Sequence, residues 1–146
     1  MDIQIIEHIK EKLQVIIKCQ QIDDEIMRLK HHIEMFDKKL QAKKGNEWCF
    51  VNLLDVFYFE SVDNRVFLYT KDDVMEIKRR LYELEIIIIL SNKDFIRISK
   101  SQIININKVK SLRPEINRTI LATMCNGEQL FISRKYVPAI RNLLSI

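Results

Sequence analysis

The stretch Val56-Phe57-Tyr58-Phe59-Glu60-Ser61, followed by Val62-Asp63-Asn64-Arg65 and then Val66-Phe67-Leu68-Tyr69-Thr70, decides the fold class. β-Branched and aromatic residues fill both flanks, which is strand composition, and the four residues between them read as a hairpin loop with a polar tip. Further short strands follow. Lys71-Asp72-Asp73 turns the chain into Val74–Ile77, Phe95–Ser99 and Gln102–Ile106 surround a polar Ser99-Lys100-Ser101 centre, and Asn126-Gly127 joins Ile120–Cys125 to Glu128–Ile132. Asn-Gly between two such runs is the strongest short hairpin signal in the chain. Ile77, Leu81, Leu84 and Ile88 have helical spacing, but the β-branched run Ile86–Ile89 is expected to end that helix early. Pro138 suits the first turn of a short terminal helix.

Upstream the pattern differs. Residues 3–6 and 13–18 alternate apolar and polar side chains in the manner of short strands. Ile22, Ile26, Leu29, Ile33, Phe36 and Leu40 then fall on one helical face, with Asp23, Asp24 and Glu25 at its start, Lys38, Lys39, Lys43 and Lys44 near its end, and Gly45 as its stop. The stripe fits packing on the upstream strands, or a dimer seam. The expected class is α+β and mainly β: a small β-β-α extension over 1–44, then a domain of short antiparallel sheets with few helices over 45–146.

The 146 residues are enough to bury a real core. Glycine and proline occur only twice each, and Gly45 and Gly127 are far apart, so no glycine-rich phosphate loop exists. Cys19, Cys49 and Cys125 are odd in number and widely spaced, which fits neither a disulfide framework nor a zinc site. His31 and His32 are adjacent on the expected helix and point about 100° apart, so they cannot share an ion in the i, i+4 manner. No nucleophile–base pair has a telling spacing, and no enzyme, metal or cofactor is expected. The first residues lack a basic leader and Ile86–Leu90 is the longest apolar run, so the expected location is the cytoplasm.

The net charge is +4, but its distribution is uneven. Residues 97–146 carry nine basic groups and two acidic ones, against a near-neutral first third and an acidic middle. Arg97, Lys100, Lys108, Lys110, Arg113, Arg118, Arg134, Lys135 and Arg141 punctuate strand ends and loops, with Ser, Asn and Gln between them. Such a face fits a polyanionic partner: Lys and Arg supply the salt-sensitive attraction, and polar side chains contact phosphate oxygens. No helix-turn-helix is evident, so a reader of nucleic acid would have to use loops.

Val56-Phe-Tyr-Phe-Glu-Ser61, the Asn64-Arg65 loop, Phe95-Ile-Arg-Ile-Ser-Lys-Ser101, Ile103-Ile-Asn-Ile-Asn107 and Ser133-Arg134-Lys135-Tyr136, in that order, resemble the LytTR (LytR/AlgR-type) DNA-binding domain from about Asn46 to the C-terminus. The resemblance implies a transcription regulator that inserts loops into successive major grooves of double-stranded DNA at repeated promoter elements and bends the duplex. It puts Arg134 at a base edge, Lys100 at a base-contacting loop position and Asn64 in the first contacting loop. Ser101, Arg65 and Lys135 become phosphate-contacting neighbours, and Arg97 joins the DNA-binding set. About 44 residues precede the match, too few for the phosphoacceptor receiver that many members carry, so control is expected from elsewhere: self-association through the extension as a homodimer, or a membrane-bound antagonist protein. Two other readings compete. An RNA-binding module would expose Phe57, Tyr58, Phe59, Phe67 and Tyr69 for base stacking, and a protein–protein adaptor would carry its basic face incidentally.

Overall fold

In the computed structural model, which describes residues 1–34, 36, 38–89 and 94–146 (Ile89 without its side chain), the chain runs through three helices and ten strands. Helix α1 (Asp24–Glu34) precedes β1 (Lys39–Lys44), β2 (Glu47–Asn52), β3 (Tyr58–Val62), β4 (Arg65–Tyr69) and β5 (Val74–Ile77). A short α2 (Leu81–Leu84) runs on into a π-type turn, Glu85–Ile89. Then come β6 (Phe95–Arg97), β7 (Gln102–Asn105), β8 (Val109–Pro114), β9 (Ile120–Met124), β10 (Gln129–Ile132) and α3 (Val137–Leu144), with Pro138 in the first turn of α3. All strand pairs are antiparallel. One sheet has the order β2-β1-β5-β4-β3-β7-β6, the other β10-β9-β8.

Period-two alternation makes β3 and β7 a wall between two cores. Phe59 and Ile103, opposite each other in the ladder, face one way, into a core with Val56, Leu68, Leu84, Ile88 and Phe95. Their neighbours Tyr58 and Ile104 face the other way, onto the three-stranded sheet and α3 through Ala122, Met124, Ile132 and Ile140. Phe57, Tyr58 and Phe59 are therefore buried, and Tyr58 stacks on Tyr69 with ring centroids 4.2 Å apart. Three of the five aromatics that an RNA-binding module would expose are thus spent on the core, and Phe67 and Tyr69 are half-buried.

Turn chemistry sets the registers. The β3–β4 hairpin turns at Asp63-Asn64, both with positive φ (51° and 63°), the type I′ pattern that Asp and Asn tolerate. Asn105 closes β7. It is buried, its side-chain amide donates to the Val56 carbonyl at 2.8 Å, and its Oδ1 accepts from the Asn107 amide at 3.0 Å.

The first third departs from expectation in three ways. Residues 3–6 and 13–18 form no strand, because no described strand of the same chain pairs with them; Ile3, Ile5 and Ile6 are 84%, 94% and 82% exposed. The helix is shorter than its stripe. Asp23 caps it, its Oδ1 accepting from the Ile26 amide at 2.9 Å, and Ile26, Leu29 and Ile33 are half-buried, but it ends at Glu34. Residues 39–44 pair with β2 in continuous register from Lys39↔Asn52 to Lys44↔Glu47, a ladder that a helix through 44 would forfeit. Gly45, with φ +60°, thus begins a two-residue hairpin turn rather than stopping a helix. Helix α1 sits beside the buried Asp94, whose carboxylate lies 3.7 Å from both Arg28 and His32. Strand β8 was not anticipated, because Lys110, Ser111 and Arg113 break any apolar alternation. The Ile86–Leu90 run is split: Ile88 is buried, Ile86 and Ile87 are exposed, and Leu90 lies outside the described residues.

Two stability predictions follow from these contacts. Asn105→Leu strands the Val56 carbonyl and the Asn107 amide, and should lower unfolding free energy by about 1–3 kcal/mol in urea titration. Burial, assisted by the Glu128 carboxylate, holds the Tyr58 phenol well above its usual range. Its contribution is complete below about pH 10, where the unfolded phenol is still protonated, and is lost as pH rises further. Stability measured against pH should therefore fall above about pH 10, with a smaller slope in Tyr58→Phe.

Candidate nucleic-acid interface

Three loops are held together at one end of the β3–β7 wall by main-chain hydrogen bonds. The Asp63-Asn64 tip lies just beyond Ser61, whose amide donates to the Ser101 carbonyl at 2.8 Å. The Ser99-Lys100-Ser101 loop joins β6 to β7, closed by the Ile98 amide on the Gln102 carbonyl at 3.0 Å. Ile98 also takes both donors of Ser133 on its carbonyl, the amide at 2.9 Å and the hydroxyl at 3.2 Å. That double contact fixes the Ser133-Arg134-Lys135 turn, which the Tyr136 amide closes onto the Ser133 carbonyl before α3 begins. Asn64, Lys100, Ser101, Arg134 and Lys135, far apart in sequence, thus share one rim.

The basic residues at this rim divide by partner. Arg65 forms a bidentate pair with Glu76 of β5, Nε–Oε1 2.9 Å and Nη2–Oε2 2.5 Å, and lies over the Phe67 ring. The pair holds the Glu76 carboxyl below the usual carboxylate range and raises Arg65 further above neutrality. Arg97 is bound from three sides. Its guanidinium donates to the Ser99 carbonyl at 2.9 Å and to the Lys100 carbonyl at 2.5 Å, and pairs with Glu85. Both geometries describe residues that shape loops and strands. Lys100, Arg118, Arg134, Lys135 and Arg141, by contrast, have no carboxylate within 4.0 Å among the described residues. Arg134 and Lys135 are exposed, and the Lys135 ammonium lies 5.5 Å from the Tyr136 ring centroid.

Sequence reasoning placed no site at the β8–β9 connection. There Asn117 and Arg118 both adopt left-handed backbone (φ 64° and 62°), and Asn117 lines a shallow depression with Thr119, Ser133, Arg134 and Lys135. Arg118, Arg134 and Arg141 also border a neighbouring cleft over Pro114, Val137 and Pro138. An Asn in a left-handed turn was the one available signal, but an Arg beside it in the same region is foreign to ordinary turn preference.

This arrangement offers hydroxyl, amide and guanidinium donors along a line of unneutralised positive charge, which suits a phosphate backbone flanking base edges. The LytTr DNA-binding domain family model matches residues 46–145. The chain belongs to the LytTr DNA-binding domain family. Among solved structures it is similar to the LytTr DNA-binding domain of a Bacillus cereus protein described as a methyl-accepting/DNA response regulator, with TM-score 0.70 and 29% identity, covering 75% of this chain and 99% of that one. Uncharacterized HTH-type transcriptional regulators of Staphylococcus aureus strains NCTC 8325 and COL are each 30% identical over 132 residues, 89% of this chain and 88% of theirs. This LytTr chain is a DNA-binding transcriptional regulator of bacterial type, and LytTr domains are regulatory rather than catalytic modules. Its described helices are separated from one another by strands, so none of them adjoins another as a helix pair. No described helix is long and apolar enough to cross a membrane.

Because Arg97 ties Ser99 and Lys100 to Glu85, Arg97→Ala should free the 99–101 loop. Hydrogen exchange at the Ser61 and Ser101 amides should accelerate about tenfold, the equivalent of one or two lost hydrogen bonds, with the β9–β10 amides unchanged.

Proposed function

We propose that this LytTr regulator reads double-stranded DNA through the three-loop rim, inserting loops into successive major grooves at repeated promoter elements and bending the duplex between them. The observation that carries the reading is the chain of hydrogen bonds from Ser61 to Ser101 and from Ile98 to Ser133, which aligns the loops while leaving Lys100, Arg134 and Lys135 without carboxylate partners. Arg134 takes the base edge, since a guanidinium matches the two guanine acceptors of the major groove. Lys100 and Asn64 contact bases from the second and first loops, and Ser101 and Lys135 bind flanking phosphates. Arg65 and Arg97 belong to the same interface and act there mainly by position, since the Glu76 and Glu85 pairs already engage their guanidiniums.

Two copies bind together, because loop readers with small footprints gain affinity from adjacent half-sites. Residues 1–44, ahead of the DNA-binding domain over 45–146, form the regulatory or self-associating part, and a membrane-bound antagonist is a regulatory partner of fitting kind. The location that suits this work is the cytoplasm. The adaptor reading, by comparison, needs binding that does not vary with DNA sequence.

Selection from a random duplex pool tests the proposal. Wild type should enrich a repeated motif, and Arg134→Ala should relax one position at a cost of about 1–3 kcal/mol. Lys135→Ala should weaken all sites alike and reduce the slope of log K against log salt by about 1. No enriched motif in wild type would reject the reading in favour of the adaptor.

A further inference from the structure

Two parts of the molecule lie away from the loop rim and fit each other. The first is the segment 1–22. Ile3, Ile5, Ile6, Ile9 and Leu13 are 82–97% exposed. Isolated surface aliphatics are ordinary, but so many along one segment mark an interaction surface. The same segment carries strand patterning at 3–6 and 13–18, and a strand satisfies its backbone only against a neighbouring edge.

The second part is such an edge. Strand β2 ends the larger sheet, with no described strand on its outer side. It is six residues long and contains no Lys, Arg or Pro. The other sheet edges are blunted or short: β8 carries Lys110, Arg113 and Pro114, β6 has three residues and ends on Arg97, and β10 has four. A long edge without such protection invites a further strand. Trp48 and Phe50, two apart and hence on one face, are 51% and 64% exposed. The ammoniums of Lys43 and Lys78 lie 5.6 Å and 5.5 Å from the Trp48 ring centroid. Residues 1–9 carry Asp2 and Glu7 and no Lys or Arg, so a strand formed there brings carboxylates to that lysine-flanked face.

We infer that residues 1–22 of one copy add as a strand to the β2 edge of a second copy, with Ile3 and Ile5 covering Trp48 and Phe50, and that the exchange is reciprocal. Helix α1, which carries the arm, is held beside Asp94 next to β6, at the opposite end of the strand order from β2. A stable interface uses about 20–30 residues a side, which the arm and β2 together supply. Reciprocal exchange buries both arms, occupies both open edges and closes the symmetry at two copies. The inference gives a surface to the pairing of copies proposed above, and rests on that reading only for its purpose, not for its occurrence.

The test uses the full chain with a photo-crosslinking amino acid at position 5, prepared as a mixture of light and heavy isotope copies refolded together. Cross-links should reach the peptide containing residues 47–52, about half of them joining a light copy to a heavy one. Ile3→Glu/Ile5→Glu and, independently, Phe50→Asp should each weaken dimerisation at least about tenfold by light scattering. Their melting temperatures should stay near that of the wild-type monomer, because the altered side chains are exposed. Cross-links within single copies only, cross-links to another surface, or unchanged dimers in both variants would overturn the inference. Both variants should still bind a single DNA half-site. Loss of half-site binding in a wild-type dimer with the expected cross-links would reject the DNA reading and leave the exchange standing.

Discussion

The structure depends on a pair of strands buried on both faces. Tyr58-Phe59 of β3 and Ile103-Ile104 of β7 lie opposite one another, so successive rungs send their pairs of side chains into alternate cores. A slip of one residue would exchange the two faces and misfit both cores at once, which makes this register strongly specified. Everything that must be placed accurately is attached to it. The β6–β7 loop leaves one end of the wall, the β3–β4 hairpin passes the same end, and the β10–α3 turn is bonded to Ile98.

Electrostatics then divides the basic residues of the rim. Arg65 and Arg97 are neutralised locally by Glu76 and Glu85, and their guanidiniums hold strand and loop in shape. Lys100, Arg134 and Lys135 stay in water with their charges uncompensated by any described carboxylate. Basic side chains at one rim are therefore in two electrostatic states, paired and unpaired. Proximity to a glutamate on a neighbouring element decides which, and that is invisible in the order of residues.

Most of the C-terminal hundred residues, β8 excepted, were legible because local and tertiary preferences agree there. Val56–Thr70 has strand composition around a turn that tolerates positive φ, Asn126-Gly127 is a hairpin signal in its own right, and Pro138 begins a helix where its missing amide costs nothing. The first third was read less well for the opposite reason. Lys39–Lys44 continues an amphipathic helical stripe, yet the ladder with β2 outweighs the helical preference of a few residues. The strand-like runs at 3–6 and 13–18 have the right composition but pair with no described strand of their own chain.

The sequence by itself determined which segments could be strands, where the tight turns fall, that positive charge collects in the last third, and the family to which those motifs point. These are properties of short windows, governed by backbone sterics, side-chain shape and composition. Only the tertiary structure decided that Phe57, Tyr58 and Phe59 are core, that three distant loops form one rim, that Arg97 holds a loop in place, and that Asn117 and Arg118 stand beside Arg134. Each of these depends on contacts between elements far apart in the chain, where burial and hydrogen-bond satisfaction choose among conformations that local preference leaves nearly equal.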